Sequence, residues 1–193
     1  KKIQMADVVA EYEKYSSEIN KQIVNVLKSG CYINGNVVSD FEQSLSNYLQ
    51  SEHVTSCGNG TDALYIALMS LNLQRGDEVL VPTFTFVSTV EAVCLLGLKP
   101  VFLDIDKDTF LLNEKLIENK ISSKTRAIIP VHLFGQCCNM DLITSIAKKH
   151  NLFIVEDAAQ SIGCQYTFGD TLEKKFSGTI GDIGITSFYP SKN

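Results

Sequence analysis

Apolar residues return at three- and four-residue steps across positions 6–29 (Val8, Val9, Tyr12, Tyr15, Ile19, Ile23, Val26, Leu27), a period that predicts an amphipathic helix. Gly30 is a suitable stop for it, since helices commonly end on a left-handed residue. A turn punctuated by Gly and Asn follows, SGCYINGNVV, and then Ser39 or Asp40 is placed to cap a second helix, DFEQSLSNYLQ. From His53 the pattern changes. Short apolar runs alternate with helical stretches: strand HVTSC and helix ALYIALMSLNL, strand DEVLVP and a helix around VSTVEAVCLLG, strand KPVFLDID and helix LLNEKLIENKI. Strand TRAIIPVHL and helix MDLITSIAKKH continue the series, then strand NLFIVED, an irregular polar stretch over 165–179, and a final strand DIGITSFY.

Several of these strands are unbroken apolar runs, as expected of strands buried on both faces. Repeated strand–helix units with such strands predict an α/β fold with a mostly parallel sheet flanked by helices. In sheets of this kind ligands sit at the carboxyl ends of the strands. The residues just after each strand are therefore the ones that carry chemistry. Residues 1–35 read as an N-terminal helical arm and 36–193 as the large domain.

Composition narrows the partners. The 193 residues suffice for a substantial core, and 45% hydrophobic with 20% charged residues is ordinary for a soluble globular protein. A net charge of −5 offers no basic field for nucleic acid or an anionic membrane, so a phosphorylated ligand needs a local site. No apolar run approaches ~20 residues, and the start of the chain lacks the apolar core of a signal peptide. Cys31, Cys57, Cys94, Cys137, Cys138 and Cys164 form no CxxC pair and no zinc pattern with His53, His132 and His150. They read as small buried hydrophobes in a reduced, cytoplasmic protein, with no metal site expected.

Four post-strand segments stand out. In Cys57-Gly58-Asn59-Gly60-Thr61-Asp62, glycines before a helix let backbone N–H groups approach an anion, with the Thr61 hydroxyl as a further donor. The spacing is neither a dinucleotide fingerprint nor a P-loop, and a plain turn capped by Thr61 or Asp62 stands beside the anion reading. Asp62 suits an anion only through its backbone N–H. Phe86, after DEVLVP, is placed either to cover a planar ligand or to fill the core. Glu156 and Asp157 follow the apolar FIV, and buried carboxylates need partners: Asp157 suits a protonated heterocyclic nitrogen, or caps the next helix, and Gln160 suits a ring substituent. In the last stretch, Ser187 and Lys192 set a hydroxyl and an amine five positions apart. A phosphate, an acidic partner for a ring nitrogen and a lysine for an aldehyde are the needs of pyridoxal 5′-phosphate.

With these residues in view, the chain resembles the sugar aminotransferases of the DegT/DnrJ/EryC1/StrS family, among fold-type I pyridoxal phosphate enzymes. The resemblance runs through SGCYINGNVVSDFE, CGNGTDAL, DEVLVPTFTFVST, PVFLDID, PVHLFGQ, VEDAAQSIG and GDIGITSFYPSK, over nearly the whole chain. It implies that Lys192 condenses with the cofactor aldehyde and moves the proton, that Asp157 pairs with the pyridine nitrogen, and that Gln160 lies near the ring hydroxyl. It further implies that Phe86 stacks on the ring, and that Gly60, Thr61, Asp62 and Ser187 cradle the phosphate. The implied reaction carries an amino group from glutamate to a keto group of a nucleotide-linked sugar in two half-reactions, within a homodimer. Family members continue for about a further domain, so the resemblance implies a chain ending inside the large domain, with the small C-terminal domain absent and the isolated piece of doubtful activity.

Two other readings share these residues. A sugar dehydratase of the same family carries histidine where this chain has Lys192. A non-catalytic or regulatory relative, or an inactive truncated one, keeps the fold without the reaction. A nicotinamide-binding Rossmann protein needs the glycine fingerprint that GNGTD lacks.

Overall fold

The structure, a computed structural model, describes residues 6–192. The chain divides into two compact units, Lys1–Ser56 and Cys57–Asn193, a division that falls downstream of the expected end of the helical arm at 35.

In the first unit the helical period forms α1, Val8–Ser29, capped by the Asp7 carboxylate accepting from the Ala10 N–H at 3.0 Å and closed by Gly30 at φ 68°. Its apolar stripe is real, yet no residue of α1 is buried. The second helix, α2, spans Asn36–Leu49 and buries Leu45 and Leu49. It starts before Ser39 and Asp40, the two expected caps, because the Gly35 carbonyl already accepts from the Val38 N–H at 2.9 Å. The expected strand HVTSC forms no ladder. The Ser56 N–H donates instead to Glu42 Oε1 at 2.7 Å.

The second unit contains α3 (Gly60–Ser70), β1 (Glu78–Pro82), α4 (Ser88–Leu95), β2 (Lys99–Leu103), β3 (Thr125–Ile128), α5 (Met140–His150), β4 (Phe153–Asp157), β5 (Gln165–Thr167), β6 (Lys174–Phe176) and β7 (Ile183–Ile185). Five strands form one sheet in the order β2-β1-β3-β4-β7, and every pairing in it is parallel. All five residues of β1 are buried, whereas β2 at the edge exposes Lys99 and Phe102. The run VLV thus lies in a strand covered on both faces, whereas the run VFL lies at the sheet edge. Leu64 and Leu68 of α3, Ala92 and Val93 of α4, and Ile143 and Ala147 of α5 join the same core as Val79, Leu80, Val81 and Val155.

Three expectations are corrected within this unit. The segment 111–121 is not one helix but two 3₁₀ turns, Glu114–Leu116 and Glu118–Lys120. A bridge from Ile105 to Leu112 and a bond from the Asn113 N–H to the Asp104 carbonyl (3.1 Å) hold its start extended, and the Asn113 side chain caps the first turn. The stretch 165–179, expected to be irregular, contains the antiparallel hairpin of β5 and β6. Finally, TRAIIPVHL is a strand only to Ile128: Pro130 has no N–H for a ladder, and contact with the sheet resumes as a single bridge from Val131 to Asp157.

Candidate active site

The carboxyl ends of β1, β4 and β7, with the start of α3, carry the expected site residues. Asp157 is the last residue of β4 and is held on both sides. Its N–H donates to the Pro130 carbonyl (2.9 Å), its carbonyl accepts from the His132 N–H (3.0 Å), and its register partner on β7 is Ile185. The side chain is 5% exposed. One carboxylate oxygen, Oδ2, accepts from the Thr89 hydroxyl at 2.8 Å, and Oδ1 accepts from the Ala159 N–H at 3.2 Å. Burial pushes its carboxyl above the ordinary range, while the Thr89 and Ala159 bonds and the charge of Lys192 act in the opposite direction. A buried carboxylate with donors on two sides and a raised proton affinity suits a cationic N–H partner. Asp157 caps no helix: the chain turns after β4 without forming one.

Neighbouring Glu156 has a different task. Strand alternation turns it to the other face, where it is fully buried. Its oxygens accept from the N–H groups of Ile180 and Gly181 (2.6 Å each) and Gly178 (3.0 Å), and from His132 Nε2 (2.8 Å). His132 Nδ1 accepts from the Cys138 N–H at 3.1 Å, which leaves Nε2 to donate to Glu156. This network pins the turn that leads into β7, and hence the segment that carries Ser187 and Lys192.

At the start of α3 the cap is Asn59, not Thr61 or Asp62. Its side chain accepts from the Asp62 N–H and donates to the Asp62 carboxylate, each at 2.9 Å. The Asp62 N–H, expected to face an anion, is therefore engaged within the turn. Among the described residues, the N–H groups of Gly60 and Thr61 have no acceptor, as is usual in a first helical turn. Ser187 comes up against this end: a methyl group on Gly60 would lie 3.1 Å from Ser187 Cβ and 3.4 Å from its Oγ. The structure thus brings Gly60, Thr61 and Ser187 together around open backbone donors. The Thr61 hydroxyl is 2.7 Å from the Ser88 hydroxyl.

Phe86, in the loop between β1 and α4, is 67% exposed and does not fill the core. Its carbonyl accepts from the Thr89 N–H at 3.2 Å. Gln160 Oε1 accepts from the N–H of Phe134, a residue in the left-handed region (φ 57°), at 3.0 Å. Lys192 is half-buried, its N–H donating to the Tyr189 carbonyl at 2.7 Å.

Sequence reasoning missed Thr85, Ser88, Thr89 and His132. A Thr–Phe–Thr–Phe–Val–Ser–Thr run after a buried strand is dense in hydroxyls, and that density was the available signal. The cysteines are also corrected. Only Cys138 is buried, its thiol pushed up to about 12 by desolvation; Cys31, Cys57 and Cys94 are exposed, and the Cys137 and Cys164 sulfurs lie 3.4 Å apart.

A parallel α/β sheet with a buried carboxylate and a lysine at its carboxyl end, beside a helix start with open donors, is a layout that receives ligands. The chain belongs to the DegT/DnrJ/EryC1/StrS aminotransferase family, whose profile matches residues 13–193. It is 42% identical to UDP-2-acetamido-2-deoxy-3-oxo-D-glucuronate aminotransferase from Pseudomonas aeruginosa over 98% of this chain and 51% of that one. A DegT DnrJ EryC1 StrS aminotransferase from Brucella abortus superposes with a TM-score of 0.89 at 40% identity, covering 99% of this chain and 52% of that one. NtdA from Bacillus subtilis, solved with bound cofactor PMP, superposes at 0.83 with 36% identity, covering 93% and 39%. The chain spans about half the length of the curated relatives it matches. Among the described residues no helix is long and apolar enough to cross a membrane.

Proposed function

We propose that this chain forms the cofactor-holding part of a pyridoxal phosphate-dependent aminotransferase. The reaction moves an amino group, with glutamate as donor, to a keto group of a nucleotide-linked sugar. The observation that carries this reading is Asp157: a carboxylate buried to 5% exposure, held by two donors, with the charge of Lys192 acting on it. A ring nitrogen that stays protonated is the partner such a group demands.

The residues present fit the cofactor. Asp157 would hold the pyridine nitrogen, Phe86 would lie on the ring, and Gln160 would stand near its hydroxyl. Gly60, Thr61 and Ser187 would take the phosphate, with Asp62 contributing by shaping the capped turn more than by its engaged N–H. When bound, the cofactor supplies an electron sink and a carrier for the amino group. Lys192 Nζ would hold its aldehyde and, once released, take a proton from the donor carbon in one half-reaction and deliver one to the acceptor carbon in the other. Lysine at this position favours amino transfer over the dehydratase reading. A cytoplasmic homodimer, with partner residues completing the site, belongs to the same proposal.

The test uses the whole protein carrying this sequence. After incubation with pyridoxal phosphate it should be yellow, borohydride should bleach it, and the reduced label should map to the peptide containing Lys192. In a separate, unreduced sample glutamate should discharge the colour, and a nucleotide keto-sugar should restore it. Protein that stays colourless, or a Lys192→Ala variant transferring amino groups at the normal rate, would refute the reading.

A further inference from the structure

We propose that Thr89 is a positioning residue for this site, holding Asp157 as an oriented carboxylate through a hydroxyl chain that begins at Thr85. The proposal rests on the cofactor reading above and extends it to residues outside the cofactor contacts that reading assigns. Thr89 lies in the first turn of α4, fully buried, and its hydroxyl donates to Asp157 Oδ2 at 2.8 Å across 68 positions of sequence. The Thr85 hydroxyl lies 3.1 Å from that of Thr89.

The direction of this chain follows from proton counting. An ionised carboxylate only accepts, so Thr89 spends its single proton on Asp157 and its oxygen is left to accept from Thr85. Donation from Thr85 polarises the Thr89 hydroxyl and strengthens its bond to the carboxylate. With the Ala159 N–H on Oδ1 at 3.2 Å, each carboxylate oxygen has its own donor, and the plane of the group is set. Burial works against the charged form, and the hydroxyl chain offsets it without adding a charge of its own. The other ionisable groups facing Asp157 are His132 and Lys192, both of which favour its charged form, while Glu156 is turned away into its own four donors.

The same turn reaches two further site residues. The Thr89 N–H bonds the Phe86 carbonyl at 3.2 Å, and Ser88 pairs with Thr61 at 2.7 Å. The start of α4 therefore ties the stacking ring, the ring-nitrogen partner and the phosphate end to one rigid turn.

The experiment compares Thr89→Val, which keeps the shape and removes the hydroxyl, with Thr89→Ser, which keeps the hydroxyl and removes the methyl, in the whole protein. In the apoprotein, ¹³C NMR of the Asp157 carboxyl should show the Val variant titrating about one pH unit higher, a tenfold change in proton affinity. Its dissociation constant for pyridoxal phosphate should rise about tenfold, whereas the Ser variant should stay within about threefold of wild type in both readouts. Equal behaviour of the Val variant and wild type overturns the proposal. So does a Ser variant as impaired as Val, since that assigns the effect to methyl packing. Should Thr89→Val fail to fold, Thr85→Ala takes its place: a smaller upward shift of the Asp157 midpoint supports the chain, and no shift overturns it. If the wild type takes up no pyridoxal phosphate, the functional reading fails and takes this proposal with it; if only the variants match wild type, the role of Thr89 alone fails.

Discussion

His132 and Glu156 meet through a 2.8 Å hydrogen bond with both side chains fully out of solvent. Glu156 also accepts from three backbone N–H groups of the turn that enters β7. One buried carboxylate thus couples the loop after β3 to the segment that presents Ser187 and Lys192. Glu156→Ala leaves those donors unpaired in the interior and should destabilise the protein by about 3 kcal/mol or more. Urea denaturation of the apoprotein at neutral pH reads that loss as a lower midpoint. Glu156→Gln, with two donors facing a cluster of donors, should recover only part of it.

Gly60 tests the phosphate cradle separately from the fold. Alanine is the better helix former by about 1 kcal/mol, but its methyl would press on Ser187 at 3.1 Å. Gly60→Ala should leave the melting temperature of the apoprotein unchanged or slightly raised, while the dissociation constant for pyridoxal phosphate rises about tenfold as Ser187 is displaced. Isothermal titration with cofactor, beside a thermal melt without it, separates the two effects.

Gly184 stands in β7 where its backbone runs against that of Gly178, and an added methyl would overlap the Gly178 carbonyl oxygen. Backbone cannot step aside as a flexible side chain can. Gly184→Ala should separate β7 from β4 at the Glu156–Gly184 register pair and cost about 3 kcal/mol or more, at the upper end of overpacking. Loss of hydrogen-exchange protection confined first to 183–185 is the expected signature.

Asp157 opposes stability to function. Burial lifts its proton affinity above the ordinary value of 3.8. A carboxyl that holds its proton more tightly when folded costs stability once ionised. Stability of the apoprotein therefore falls as pH rises from 3.8 through the folded value. Relative to wild type, Asp157→Asn should gain stability across that window and keep the gain at pH 7, while binding pyridoxal phosphate at least about tenfold more weakly for want of a charge beside the ring nitrogen. Denaturation midpoints collected between pH 4 and pH 8 follow the difference; a variant that loses ground to wild type as pH rises would contradict the sign.

The sequence by itself determined the class of fold. Short apolar runs such as VLV, alternating with helical periods, point to buried strands of a parallel sheet. It also determined the chemical types available after each strand: the glycine turn, the carboxylates, the hydroxyl and the lysine. Tertiary structure decided what these types do. Alternation along β4 places Glu156 and Asp157 on opposite faces, but only the packed loops show that one collects four structural donors while the other meets Thr89. Competing local bonds shifted the cap to Asn59 and broke 111–121 into two turns, because a side chain or bridge close in space outweighs a propensity of tenths of a kcal/mol. The bond between Thr89 and Asp157 joins residues 68 positions apart. No local pattern encodes such a contact, since it exists only once the sheet has set the ends of β1 and β4 and the start of α4 side by side.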